Sequence, residues 1–199
     1  MNGHSKQDNM NHQSTRRNLI DATKQLIWQQ GFAAMSPRTI LERSCAGQGS
    51  LYHHFKGKSD LAKTALKEMD GEMKAELDRL FAGTKNPIEK IKNYLTAPRT
   101  GVKGCRLGRL ANDTAINDEN LRIPVADYFS YVEKHITDAL DEAGKQGLIK
   151  TDINARGLAV ALVAVVQGGY VLSRVHQDNE KMKQATGAAL ELLQEKIKG

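Results

Sequence analysis

Cysteine is nearly absent from this chain, with two among 199 residues, at positions 45 and 105. Two are too few for a disulfide framework. Neither stands in a CxxC or Cys/His spacing that would hold zinc, so no metal or other cofactor is expected and a reducing, cytoplasmic setting is the simplest. Proline is scarce too, with four, and Phe, Trp and Tyr together make up 5%. That composition, with an apolar period of 3.6 residues, argues against a strand-rich sandwich or barrel and predicts an all-α chain. Long apolar runs are also lacking. The longest, from Leu158 to Val166, is about half of what a bilayer span needs, so it reads as a buried helix and no membrane partner is expected. The first fifteen residues are polar and lack the apolar core of a secretory signal; residues 1–14 are expected to form a disordered arm.

What the chain does have is positive charge, and it is unevenly placed. The formal net charge is +6. Between residues 16 and 58 stand Arg16, Arg17, Lys24, Arg38, Arg43, Lys56 and Lys58, against only Asp21 and Glu42, and the rest of the chain is close to neutral. An anionic partner is therefore expected at the N-terminal part.

The periodicity predicts about nine helices. The first runs from Arg16 to Gln30, with Thr15 as cap, Leu19, Ala22, Leu26 and Ile27 as its inward stripe, and Gly31 as its stop. Ser36-Pro37 is a strong helix start, because Ser caps free N–H groups and Pro at the first position gives up a donor that has no partner. That second helix ends near Ser44; a third covers 47–55, and Gly57-Lys58-Ser59 opens a fourth that reaches about Phe81. Joints at Asn86-Pro87, Thr100 to Gly104, Asn117 to Pro124 and Gly144 to Asn154 mark off helices five to nine. The expected organisation is a DNA-binding unit over 15–62 and a second domain over 63–199. The last two helices offer more apolar surface than one small domain covers, which points to pairing with a second copy.

Helices two and three, with a three-residue joint, have the dimensions of a helix-turn-helix, whose second helix reads the major groove. At 100° per residue, Leu51 and Phe55 fall on one side of helix three and Gly49, Ser50 and His53 on the other, flanked by Gln48 and Tyr52. The outer face suits DNA. Gly49 allows close backbone approach, Ser50 and Tyr52 can donate to phosphate, and Gln48 can pair with adenine in bidentate fashion. His53 can do either. Lys58, at the start of helix four, would set a cation beside another phosphate.

The stretch GFAAMSPRTILERSCAGQGSLYHHFKGKSDL resembles the N-terminal signature of the TetR (tetracycline-repressor-like) family over about residues 15–65. The resemblance implies an operator-binding homodimer joined by its last two helices, with a ligand pocket enclosed mainly by helices four to eight. By position it implies that Ser36, Arg38, Gln48, Ser50, Tyr52, His53 and Lys58 contact DNA, while Leu51 and Phe55 are core. Two positions depart from the family pattern: Cys45 stands where the joint usually has glycine, and Gln48 where helix three often has lysine.

The remaining candidates lie further on. Met69, Met73, Phe81, Tyr94, Leu110, Tyr128, Tyr131, Gln167 and Tyr170 combine apolar bodies with a few hydroxyl and amide groups, as a pocket for a small organic inducer would; as readily, they are core. Cys105, in Lys103-Gly104-Cys105-Arg106, would sit at the start of helix six, where a helix N-terminus and nearby cations lower a thiol pKa. Some TetR-like regulators that sense oxidants or electrophiles resemble this chain in having Gly-Cys there, so Cys105 is either a sensor or a small core residue. His53-His54 invites a metal reading, but neighbours on a helix point about 100° apart and lack a further ligand at helical spacing. Neither thiol has a His, Asp or Glu at such spacing that proposes itself as a catalytic partner, so no enzyme is expected. The closest rival to an operator-binding repressor is a protein that keeps this fold and binds ligand without specific DNA binding.

Overall fold

The apolar stripe of Leu19, Ala22, Leu26 and Ile27 is buried as expected, and it anchors the first helix of the computed structural model, which describes residues 4–150, 152–195 and 197. That helix, α1, spans His4–Gln30, so the expected arm is helical from residue 4 onward and residues 1–3 lie outside the described residues. Thr15 is therefore inside the helix and is not its N-terminal cap. No glycine or proline stands between Gly3 and Gly31, and extending a formed helix is far easier than starting one. Gly31, at φ 85°, ends it.

The local signals at 36–37 act as read. Ser36 Oγ accepts from the Thr39 N–H at 3.1 Å, the Ser36 N–H donates to Thr39 Oγ1 at 3.0 Å, and Pro37 opens α2 (Pro37–Ser44). Cys45 closes α2 in the left-handed region (φ 53°, ψ 29°), and the Ala46 N–H returns to the Leu41 carbonyl at 3.2 Å. Then α3 covers Ser50–His54, shorter than the expected 47–55 because residues 47–49 form a turn, with the Ser50 N–H bonded to the Gly47 carbonyl. The long α4 follows at Lys58–Ala82, and α5 at Pro87–Thr96 is capped by Asn86 Oδ1, which accepts from the Ile88 and Glu89 N–H groups.

The expected sixth helix is not α-helical. Residues 101–117 hold three short 3-10 turns, Gly101–Lys103, Gly108–Asn112 and Thr114–Asn117. Gly101, Gly104 and Gly108 favour this irregular path, with Gly104 at φ 84°, while Leu107 and Leu110 are fully buried and hold it down. The next helix, α6 (Glu119–Lys145), begins five residues before the predicted boundary and carries Pro124 within its second turn. Two more complete the chain: α7 (Ala155–His176), capped by Asn154, and α8 (Glu180–Gln194). The described residues thus hold eight α-helices and no named strand, only an isolated bridge between Ile149 and Ile197.

Packing divides the chain into two units, 1–70 with 106–125, and 71–105 with 126–199. The expected 15–62 domain lies within the first; the returning 106–125 segment was not foreseen. The core of the first unit includes Leu19, Ile20, Ile27, Ile40, Leu51, Leu61 and Leu66, all fully buried. In the second, Ile91, Tyr94 and Leu95 pack with Val132, Ile136, Leu162, Val166 and Leu193. Small residues let its helices close up: a side chain at Gly169 would stand 2.8 Å from Met182 Sδ.

Candidate nucleic-acid interface

Within the first unit, α3 is pinned from beneath by Leu51 (0% exposed) and Phe55 (5%), and this leaves Tyr52 65% exposed. Gln48, Gly49 and His53 are exposed and Ser50 half-buried, as the helical wheel requires. Arg38 projects from α2, its Nε donating to Glu42 Oε1 at 2.8 Å. Arg38, Glu42, Cys45, Gln48 and Tyr52 line one shallow groove of about 710 Å3. The groove thus brings together three of the predicted contacts, Arg38, Gln48 and Tyr52, with Glu42 as the one carboxylate in its lining.

Two predicted contacts are engaged elsewhere. The Ser36 side chain belongs to the cap of α2 and also meets Thr39 Oγ1 at 3.2 Å. Lys58 turns inward: its Nζ donates to the carbonyls of Phe32 (3.2 Å) and Met35 (2.9 Å) and lies 4.0 Å from the centre of the Phe32 ring. It ties α4 to the joint between α1 and α2. Much of the other basic charge is also structural. Arg16 lies over the Phe55 ring, and Arg17 and Lys24 share Asp21 and Glu68. Burial raises the Asp21 carboxyl's pKa, but hydrogen bonds from Arg17 and Lys24 outweigh this and hold it below the usual value.

The same joint has a second clasp that sequence reasoning missed. Asp113 Oδ2 accepts from the Ala33 N–H at 3.0 Å, and its Oδ1 accepts from the Ala115 N–H at 2.9 Å. Any side chain at Gly31 would collide with that carboxylate, since a Cβ there would lie 2.6 Å from Asp113 Oδ2.

The pocket candidates divide between the units. Met69 and Leu110 are fully buried in the first, while Met73 and Gln167, both half-buried, belong to the second. Tyr94 is buried, Tyr128 and Tyr170 half-buried, and all three join the second unit's core. Burial, then the nearby Cys105, raises the Tyr170 hydroxyl to about 12, and burial raises Tyr94 and Tyr128 further. Arg99, above the Tyr94 ring at 5.0 Å, donates to the Leu95 and Ala97 carbonyls and so closes α5. Tyr131 is half-buried against the same core and also makes a polar contact. Its hydroxyl donates to Asp78 at 2.6 Å, and its ring meets His135, in a polar cluster on α4 and α6 that is half-buried at Tyr131 and His135. Cys105 is 6% exposed and follows Gly104 in irregular backbone, so the helix N-terminus invoked for it is absent.

A capped helix-turn-helix with an exposed reading face, in an all-helical chain, defines a DNA-binding transcriptional regulator. The model of the bacterial regulatory proteins of the tetR family matches residues 19–65, and that of the LmrA/YxaF-like transcriptional regulator C-terminal domain matches residues 82–188. The chain belongs to the TetR family of transcriptional regulators. It is 29% identical to an uncharacterized HTH-type transcriptional regulator in the lacX 3' region of Lactococcus lactis, over 84% of this chain and 87% of that one. It is 21% identical to the HTH-type transcriptional repressor DhaR of Mycobacterium sp. strain GP1, over 89% and 91% of the two chains. Among solved structures, a TetR-family regulator from Agrobacterium tumefaciens shares the fold, with a TM-score of 0.82 over 90% of this chain and 97% of that one at 23% identity. The family and these relatives are named as regulators, not enzymes.

Proposed function

We propose that this protein is a cytoplasmic repressor that binds operator DNA as a homodimer and leaves it when a small organic molecule occupies the second unit. The observation that carries the DNA reading is the shared groove of Arg38, Gln48 and Tyr52 on a helix pair fixed from below. Ser50 and His53 supply further donors, and Gly49 allows the backbone to approach. The dimer reading rests on α7 and α8, where Val160, Val171, Leu172, Val175 and Leu192 are 45–74% exposed beside an apolar groove of about 610 Å3. By length and composition α7 would also suit a membrane, but a second copy covers such a face equally well.

Release is a two-state shift: ligand favours a form in which the two α3 helices no longer fit successive major grooves. A hundredfold loss of affinity needs about 2.7 kcal/mol of coupling. Tyr94, Tyr128, Tyr170 and Gln167, with Met73, are the side chains proposed to meet the ligand. Chemical modification of Cys105 is the second reading, and burial of that thiol beside three tyrosines makes it the less accessible route.

The test is selection of bound sites from random DNA, followed by titration of the selected duplex against Tyr52→Phe and His53→Ala. A palindromic site preferred at least about a thousandfold over random sequence, and weakened by both changes, is the expected result. No enriched site would overturn operator binding and leave a ligand-binding protein of the same fold. Alkylation of the native protein separates the two triggers: release that is lost in Cys105→Ser would assign the trigger to the thiol.

A further inference from the structure

The reading groove contains one group that DNA should repel. Glu42 is an exposed carboxylate, 60% accessible, on the same wall as Arg38, Gln48 and Tyr52. A phosphate-facing surface loses affinity by carrying it, because each carboxylate there offsets a cation. Its position has a specific consequence. Glu42 lies one helical turn after Arg38 on α2, and its Oε1 takes the Arg38 Nε–H at 2.8 Å. The Arg38 side chain is 88% accessible, and with Nε donating to Glu42 its two terminal nitrogens remain as a fork of donors for DNA. That fork is the group that pairs with O6 and N7 of guanine in the major groove.

We propose that Glu42 is a positioning residue for operator specificity, holding Arg38 in the orientation that reads one guanine while weakening attachment to DNA that lacks it. An arginine without this anchor has many rotamers and can settle on any nearby phosphate. Anchored through Nε, its fork reaches fewer positions, so a guanine within that arc is met while phosphates outside it are not, and the carboxylate's repulsion is felt on every sequence. Discrimination therefore rises and non-specific affinity falls. The inference rests on the operator-binding reading above.

The experiment measures wild type, Glu42→Ala, Glu42→Gln, Arg38→Ala and the Arg38→Ala/Glu42→Ala double variant. Each is titrated against the selected duplex, against duplexes with each guanine in turn replaced by adenine, and against random duplex, at two salt concentrations. Glu42→Ala is expected to lower the preference for a single guanine position by roughly tenfold and to tighten binding to random duplex about two- to fivefold at low salt. Glu42→Gln should fall between, since its amide oxygen can still accept from Nε. In the Arg38→Ala background, removal of Glu42 should leave base preference unchanged, which a merely structural role would not produce. The inference is overturned if Glu42→Ala leaves that guanine preference intact, or lowers preference equally at every position. Absence of any site preference in the wild type would instead overturn operator binding itself, and this inference with it.

Discussion

Ser173 on α7 should destabilise the protein it belongs to. Its side chain is fully buried, and among the described residues its hydroxyl has no hydrogen-bond partner. Such a group gives up its water without replacement, at a cost of about 1–3 kcal/mol. Ser173→Ala removes that cost and leaves a gap of only one oxygen atom. Alanine is also the better helix former by about half a kcal/mol, a gain of the same sign. The two gains add to at least about 1.5 kcal/mol of stability, or roughly 3–6 °C in melting temperature for a chain of this size. Ser130→Ala, at an exposed position within α6, isolates the helix-propensity share. The opposite change probes the same contact. A Cβ at Gly101 would stand 2.6 Å from Ser173 Cβ and 3.2 Å from Met182 Cβ, so Gly101→Ala should destabilise by about 1–3 kcal/mol. Urea unfolding at one fixed protomer concentration is the assay, because self-association would otherwise shift the midpoint. If Ser173→Ala loses stability, or gains no more than Ser130→Ala, the hydroxyl has a partner and the reasoning fails.

Two further substitutions separate backbone and side-chain roles in the helix-turn-helix. Cys45 holds a left-handed conformation that costs a residue with a Cβ roughly 1–2 kcal/mol, so Cys45→Gly should stabilise by about 0.5–1 kcal/mol after the extra freedom of glycine in the unfolded chain is counted. Cys45→Val should lower the melting temperature; two changes of the same sign would refute strain at this turn. Lys58→Met keeps the stem and loses the ammonium that binds two carbonyls, with an expected loss of about 1–3 kcal/mol in unfolding even without DNA. Unchanged stability with weakened DNA binding would return Lys58 to the role of a phosphate contact.

Local chemistry was legible, and long-range chemistry was not. Ser36-Pro37 announces α2 because capping involves neighbours three residues apart, and the two faces of α3 follow from helical geometry with Leu51 and Phe55 as anchors. The sixth helix failed for a local reason that could have been weighed: three glycines within eight residues cost a helix more than Leu107 and Leu110 return, whereas two leucines hold an irregular path equally well. Asp113 carried no usable signal. Its partner at Ala33 lies 80 residues away, and an aspartate followed by a threonine reads as a turn wherever it falls. Lys58 shows a different limit: residue type and position suited a phosphate, but carbonyls of the α1–α2 joint are within reach of the same ammonium.

That limit bears on how the basic footprint should be read. Seven cations between residues 16 and 58 suggest an equally large set of phosphate contacts, which would give a dependence of log affinity on log salt of about −6 per protomer. The structure commits several of them to the fold. Arg17 and Lys24 meet Asp21 and Glu68, and Lys58 meets two carbonyls. Removing these three from the count, and keeping Arg16, whose charge is not neutralised by the Phe55 ring beneath it, leaves a slope nearer −4 per protomer. The remaining affinity must come from neutral donors such as Tyr52 and Ser50 and from base contacts, neither of which releases counterions. Titrating the selected duplex between 50 and 200 mM salt measures the slope, with Arg17→Ala and Lys24→Ala expected to lower stability while leaving it unchanged. A slope near −6, or one that falls by about one unit in each variant, would mean that these side chains leave their carboxylates for phosphate when DNA binds.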